Sequence, residues 1–214
     1  MIGYKGVIFD LDGTILDSLN VWAKVDKAFF KSKGLNVPVG YEKEVNSMTF
    51  FECANYIKDV CGIEDSVEDI TKQWQKLAYK EYEKNVKLKK RVYEYLVYLK
   101  ENNIKIGIAT SCYKNLYEIC LKNNKIYDFF DVIVDTQMIN VSKKYPDIYK
   151  LCGEKLNINP ADIIVFEDIL DGIKSAKKAG MRAYFVHNEK TFEDIEEVMK
   201  QCDEYITDFR ELIN

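Results

Sequence analysis

Four stretches of this chain place residues with useful chemistry at the ends of predicted strands. The first is Asp10-Leu11-Asp12-Gly13-Thr14. Two carboxylates one residue apart can point into a single crevice if the chain turns there, and Gly13 permits the turn. An acidic turn after a strand is also common on protein surfaces, so the pair alone decides nothing. Thr110-Ser111 adds small hydroxyl donors at what reads as a helix start, where backbone N–H groups and the helix dipole favour an anion. Thr110 can equally serve there as an N-cap. Lys143, with Lys144 beside it, stands just before Pro146-Asp147; an isolated lysine is more often a solvated charge. Glu167-Asp168 follows an apolar run, with Asp171-Gly172 close behind. Carboxylates converging from two strand ends can hold a hard cation through oxygen ligands.

The elements that must position these groups are legible as patterns. Lys5–Phe9 is a short β-branched and aromatic run that ends at the first acidic pair. Further apolar strands are predicted at Ile104–Ala109, Val132–Val134, Ile163–Phe166 and Ala183–Val186, with Tyr205-Ile206 as an edge strand. Helical spacing falls between them: Val92, Leu96 and Leu99; Leu116, Ile119 and Cys120; Ile148, Leu151 and Cys152; Ile173 and Ala176. Such alternation implies right-handed βαβ units and an α/β, Rossmann-like three-layer core with a mostly parallel sheet. Open sheets of this kind place their sites beyond the strands' C-terminal ends.

Residues 17–87 break the alternation, because they carry only helical spacing. Trp22, Val25 and Phe29 lead to a stop at Gly34. Phe50, Cys53, Ala54, Ile57 and Val60 lead to Gly62, and Ser66 with Asp69 resembles an N-cap pair before Ile70, Trp74 and Leu77. A helical cap domain at 17–87, inserted after strand 1 of a core formed by 1–16 and 88–214, is the economical reading. The charged stretch Lys80–Arg91 holds either the return crossing or a solvated helix face.

Composition narrows the class. The 214 residues are 47% hydrophobic and 31% charged, as in a globular protein, and the net charge of -4 points to neither a nucleic-acid nor an anionic-membrane partner. The longest apolar run, Tyr95–Leu99, is far short of the roughly 20 residues a membrane helix needs. No signal-peptide h-region precedes Asp10. Six cysteines without a CxxC pair, and a single His187, make a Zn site improbable and read as reduced thiols of a cytoplasmic protein.

Taken together, DLDGT, ATS, the lysine before PD, and FED followed by DGIKSAKKAGM resemble the haloacid-dehalogenase-like hydrolase superfamily. The resemblance is greatest to its β-phosphoglucomutase-like phosphatases with a helical cap, and it covers nearly the whole chain. It implies that Asp10 is a nucleophile forming an aspartyl-phosphate and that Asp12 is a general acid and then a general base. It further implies Mg²⁺ held by the Asp10 side chain, the Asp12 carbonyl and Asp168, with Glu167 and Asp171 as further candidates through water or by orienting Asp168. Lys143, Thr110 and the Ser111 N–H would bind the phosphoryl oxygens, and the partner would be a small phosphorylated metabolite.

Three departures refine that expectation. Relatives read Gly-Lys-Pro-x-Pro-Asp where this chain has Ser142-Lys143-Lys144-Tyr145-Pro146-Asp147, so the register favours Lys143 and leaves Lys144 open. Similar mutases carry a His in the first cap helix and an Arg for a second phosphate; Trp22 and Phe50 stand near those positions. Water is therefore the expected acceptor, which favours a phosphatase over a mutase. Asp12 argues against dehalogenation, and an intact set of reactive residues argues against a purely binding role. Trp22, Phe50 and Phe51 are candidates to line the substrate side of the cap, or are plain core. Cys112, one residue past Thr110-Ser111, is expected to carry a thiol activated by a helix N-terminus and shielded by phosphate.

Overall fold

The computed structural model describes residues 3–45, 48–189 and 193–213. Six strands form one sheet: β1 (Gly6–Phe9), β2 (Lys105–Thr110), β3 (Val132–Asp135), β4 (Ile163–Glu167), β5 (Arg182–Val186) and β6 (Glu204–Ile206). Their order is β3-β2-β1-β4-β5-β6, and every neighbouring pair is parallel. The helices are α1 (Leu19–Ser32), α2 (Tyr41–Val45), α3 (Phe50–Cys61), α4 (Val67–Lys84), α5 (Val92–Glu101), α6 (Lys114–Asn123), α7 (Thr136–Ile139), α8 (Asp147–Leu156), α9 (Leu170–Lys178) and α10 (Ile195–Gln201).

Side chains alternate across the sheet as the pleat requires. Val7, Phe9, Ile106, Ile108, Ile164 and Phe166 face one buried layer, which α5 and α6 close with Val92, Leu96, Leu116 and Cys120. Ile8, Ala109, Val134, Val165 and Phe185 face the other, under Ile148 and Cys152 of α8 and Ile173 and Ala176 of α9. Burial on both faces is why these strands read as continuous apolar runs. Each large side chain so buried contributes about 1.5–3 kcal/mol.

The strands run further than the apolar runs that announce them. β2, β3 and β4 each end in a polar residue, Thr110, Asp135 and Glu167, still paired in the ladder. The chain leaves the sheet region through Leu16 and returns at Leu88, where the two form an antiparallel bridge. Hydrogen bonds from Asp17 N to Lys87 O (2.9 Å) and from Lys89 N to Ile15 O (2.9 Å) tie the crossing together. Between these points the described chain is helical. The return crossing is shorter than the Lys80–Arg91 stretch, because α4 continues to Lys84.

Local signals set the helix limits of this insert. Thr49 and Glu52 form a capping box ahead of α3, and Asp69 N donates to Ser66 Oγ ahead of α4, as the sequence predicts. Gly62 closes α3 in the left-handed conformation. The helix α2 has no counterpart in the sequence reading, since five residues are too few to show a period. α4 packs against α1 inside the insert and against α6 beside the sheet. Its buried face joins the same apolar cluster as Phe9 and Leu96.

Candidate active site

The site forms beyond the C-terminal ends of β1, β2 and β4, where the strand order reverses around β1. Asp10 N still donates to Phe166 O at 3.0 Å, so the residue is fixed by the ladder. The chain then folds over itself: Leu11 O accepts from Thr14, Ile15 and Leu16 N at 3.3, 3.1 and 2.9 Å. Gly13 has φ 85°, and a Cβ there would lie 2.0 Å from Asp168 Oδ2. Only glycine lets β1 and β4 bring their carboxylates this close. Gly172 does the same for Glu167, whose Cδ would lie 2.5 Å from an added Cβ.

Asp10, Glu167 and Asp168 each offer a carboxylate oxygen within 4.8 Å of the others, and all three are buried. Lys143 is 4% exposed and donates to Asp10 Oδ1 and, at 2.7 Å, to Glu167 Oε1. Lys144 is exposed, so of the two neighbours it is Lys143 that reaches this cluster. Glu167 accepts at both oxygens: Tyr149 OH donates to Oε1 at 2.6 Å and Asp168 N to Oε2 at 3.1 Å. Thr14 Oγ1 donates to Asp168 Oδ1 at 3.3 Å. A second ammonium, Lys89, reaches the back of the loop and donates to Gly13 O (2.8 Å) and His187 O (2.9 Å).

The electrostatics show more negative than positive charge. Burial pushes the Asp168 carboxyl well above its ordinary value, and the carboxylates of Asp10 and Glu167 push it further. Burial also raises Glu167, against the pull of Lys143. Burial alone would lower Lys143, but Asp10 and Glu167 outweigh it and hold the ammonium above the usual lysine value. Lys89 is lowered by burial, with Asp168 opposing. Asp10, Asp12, Glu167 and Asp168 face only Lys143 and Lys89 here, a surplus that a hard divalent cation would neutralise with oxygen ligands. The donor set therefore fits a hard divalent cation. Asp10, Glu167 and Asp168 are the carboxylates that could hold it.

Asp12 faces the other way. Its Oδ1 accepts from Ser18 Oγ at 2.5 Å and from Tyr82 OH, and the Tyr82 hydroxyl in turn accepts from Trp22 Nε1 at 2.9 Å. Burial raises its carboxyl, and Asp10 adds to this, while the two hydroxyl donors and Lys143 oppose it. A buried carboxyl biased toward its neutral form is suited to give a proton. Asp12 is not in the carboxylate cluster. Asp171, in the first turn of α9, is also outside the cluster.

Above these residues lies a cavity of about 280 Å³. Its floor is Asp10, Asp12, Thr110, Ser111, Lys143 and Asp168, and its roof comes from the helical insert. Trp22 and Phe50 line it, with ring centroids 5.1 Å apart. Phe51 does not: one helical position rotates it outward, where it is 59% exposed.

Two further expectations need correction. Thr110 ends β2 rather than opening a helix, since α6 begins only at Lys114 behind the N-cap Tyr113. Thr110 Oγ1 instead accepts from Cys112 N at 3.0 Å. Cys112 is 1% exposed, and burial beside the Asp12 carboxylate pushes its thiol well above the ordinary value. Its burial disfavours the thiolate, contrary to the activation expected from a helix N-terminus.

Several groups were hidden from sequence reasoning. Tyr82 follows Trp74 and Ala78 at four-residue spacing and reads as the apolar face of α4. Tyr149 sits in the stripe of α8, and Lys89 looks like one of many crossing charges. No local pattern marks Ser18.

An all-parallel α/β core with an acidic cluster at its switch point is the architecture of the haloacid dehalogenase-like hydrolases. The model of that family matches residues 7–186, and the chain belongs to it. A β-phosphoglucomutase from Bacillus subtilis is 30% identical over 188 residues, covering 84% of this chain and 81% of that protein. A phosphorylated carbohydrates phosphatase from Thermotoga maritima is 26% identical over 181 residues, 85% of this chain and 84% of its own. The crystal structure of CbbY from Rhodobacter sphaeroides in complex with phosphate superposes with a TM-score of 0.85 at 20% identity, covering 98% of this chain and 96% of that one. Among the described residues no helix is long and apolar enough to cross a membrane.

Proposed function

We propose that this protein is a Mg²⁺-dependent phosphatase that hydrolyses a small phosphomonoester, in the manner of a sugar phosphate, through an aspartyl-phosphate on Asp10. The carrying observation is the buried arrangement of Asp10 between Lys143 and the Glu167-Asp168 pair, with the separately held acid Asp12 on the same cavity floor. The Asp10 oxygen not held by Lys143 attacks phosphorus, and the bond from phosphorus to the ester oxygen breaks. Asp12 gives its proton to the departing oxygen. It then takes a proton from the water that attacks the acyl phosphate, releasing phosphate and free Asp10.

Lys143, Thr110 and the Ser111 N–H hold the phosphoryl oxygens in line, and Glu167 and Tyr149 hold Lys143. Bound between Asp10, Asp168 and the Asp12 carbonyl, Mg²⁺ would supply charge neutralisation at the transferred group. Residues 17–87 act as the cap that excludes bulk water. Water rather than a sugar hydroxyl is the acceptor, because no His or Arg is among the described residues that line the roof. Trp22 Nε1 is committed to Tyr82, and Phe50 meets Tyr113 edge-to-face at 4.5 Å between ring centroids.

A panel of phosphomonoesters with Mg²⁺, with and without a sugar bisphosphate, tests this on wild type and Asp10→Asn. The expected result is release of phosphate by wild type without a primer, falling by about 10⁴-fold or more in Asp10→Asn, as for loss of a nucleophile. Equal activity of the two proteins refutes the assignment; isomerisation that needs the bisphosphate makes the protein a mutase.

A further inference from the structure

The charged crossing carries Lys80, Lys84, Lys87, Lys89 and Lys90, and of these only Lys89 is not exposed. Its ammonium donates to Gly13 O at 2.8 Å and to His187 O at 2.9 Å. Gly13 lies in the turn that follows Asp10 and Asp12, and His187 directly follows β5. Phosphoryl transfer as proposed leaves this side chain without a part.

A lysine in this place has a cost. Ordering its long stem loses rotamer freedom, and drawing its charge partly out of water is unfavourable. Two carbonyls alone do not call for a cation, since a neutral donor serves them: Asn188 Nδ2 also donates to Gly13 O, at 3.5 Å. What sets the position apart is the charge in front of the turn. Against the cost of burial stand the carboxylates of Asp168, Asp17 and Asp10.

The main chain of Lys89 grips the same loop. Its N–H donates to Ile15 O at 2.9 Å, so one residue holds the loop at Ile15 by backbone and at Gly13 by side chain. The bonds that Leu11 O accepts from Thr14, Ile15 and Leu16 close the turn on itself and do not attach it to the sheet. Lys89 supplies that attachment. It joins the turn to the end of β5, where His187 N is itself fixed to Ile206 O at 2.8 Å.

Resting on the phosphatase reading, we infer that Lys89 is a positioning residue of the reaction: its ammonium fastens the turn after β1 to the end of β5 and keeps Asp12 in place beside Asp10. Asp10 has its own anchor in the bond to Phe166 O. Asp12, next to Gly13, depends on the turn. Without the ammonium the turn keeps its internal bonds but is free to shift as a body, and a displacement of about 1 Å can cost about 10²-fold in rate. Thr110 and Lys143, which would hold the phosphoryl group, come from other segments and do not depend on this attachment.

The test measures hydrolysis of p-nitrophenyl phosphate with Mg²⁺ by wild type, Lys89→Met and Lys89→Ala, with circular dichroism of each. Lys89→Met keeps the stem and loses the donor and the charge. It is expected to lower kcat by about 10- to 100-fold without raising KM, in a protein that remains folded. Propylammonium is the part of the side chain that Lys89→Ala lacks, and adding it should restore kcat to that variant, whereas 1-propanol should not.

Wild-type kcat in Lys89→Met would make Lys89 a solvated charge and overturn the inference. A loss matched by loss of folded protein, or one that propylammonium does not relieve, would make it a plain structural tie and overturn it equally. Failure of the phosphatase reading looks different: wild type itself would release no nitrophenolate, and both proposals would fall.

Discussion

The floor and the roof of the cavity are built by opposite means. The floor is set by backbone: Thr110 and Glu167 are the last paired residues of their strands, and Asp10 is still bonded to Phe166. Its side chains are then over-determined, with both Glu167 oxygens and one Asp10 oxygen held by named donors. The roof is set by side chains on helices, through ring contacts among Trp22, Phe50 and Trp74, and it leaves a donor and a carboxylate without strong partners. A rigid floor suits chemistry that tolerates little displacement.

The largest way to break this contrast is at Lys143. Lys143→Met leaves Asp10 and Glu167 buried without their cation, and activity on any phosphomonoester is expected to fall by about 10²- to 10³-fold. Stability should fall by about 3–5 kcal/mol, as when one partner of a buried ion pair is removed. Denaturant titration and steady-state kinetics read the two effects. A stable, active variant would mean that the floor is not organised around this ammonium.

How much of this was legible follows from the same contrast. The floor residues stand at the ends of apolar runs, so Asp10, Thr110 and Glu167-Asp168 could be located from the strand pattern. β2, β3 and β4 run one residue beyond their apolar runs, because a polar residue closes an apolar run before the hydrogen-bonded ladder stops. The partners that fix the floor were hidden. Tyr82 and Tyr149 lie in helical stripes whose spacing says only that they are buried, and the acceptors of Lys89 are carbonyls of Gly13 and His187, far away in sequence. The roof was legible as helices but not as a surface. Phe50 and Phe51 are adjacent aromatic residues, and only helix phase, which periodicity fixes loosely, turns one inward and the other out.

A smaller effect sharpens the description of the roof. The Asp26 carboxyl is raised from 3.8 to about 7 in the folded protein, so its neutral form is favoured by folding. The stability linked to it is fully present below about pH 4 and is lost as pH rises through about 7. Asp26→Asn should therefore match wild type near pH 4 and exceed it above pH 7, by up to about 4 kcal/mol. Parallel stability curves across this range would mean that Asp26 is better solvated than the roof geometry implies.

The central claim is that phosphorus passes through Asp10. Asp12→Asn removes the base that activates water, while p-nitrophenyl phosphate, whose leaving group needs no proton, still allows the first step. Rapid quenching of that variant with this substrate and Mg²⁺, followed by peptide mass spectrometry, should find a phosphoryl group on the peptide containing Asp10, with nitrophenolate released in equal amount. Nitrophenolate release with no phosphoryl group on that peptide, or with the group on another residue, would contradict the account.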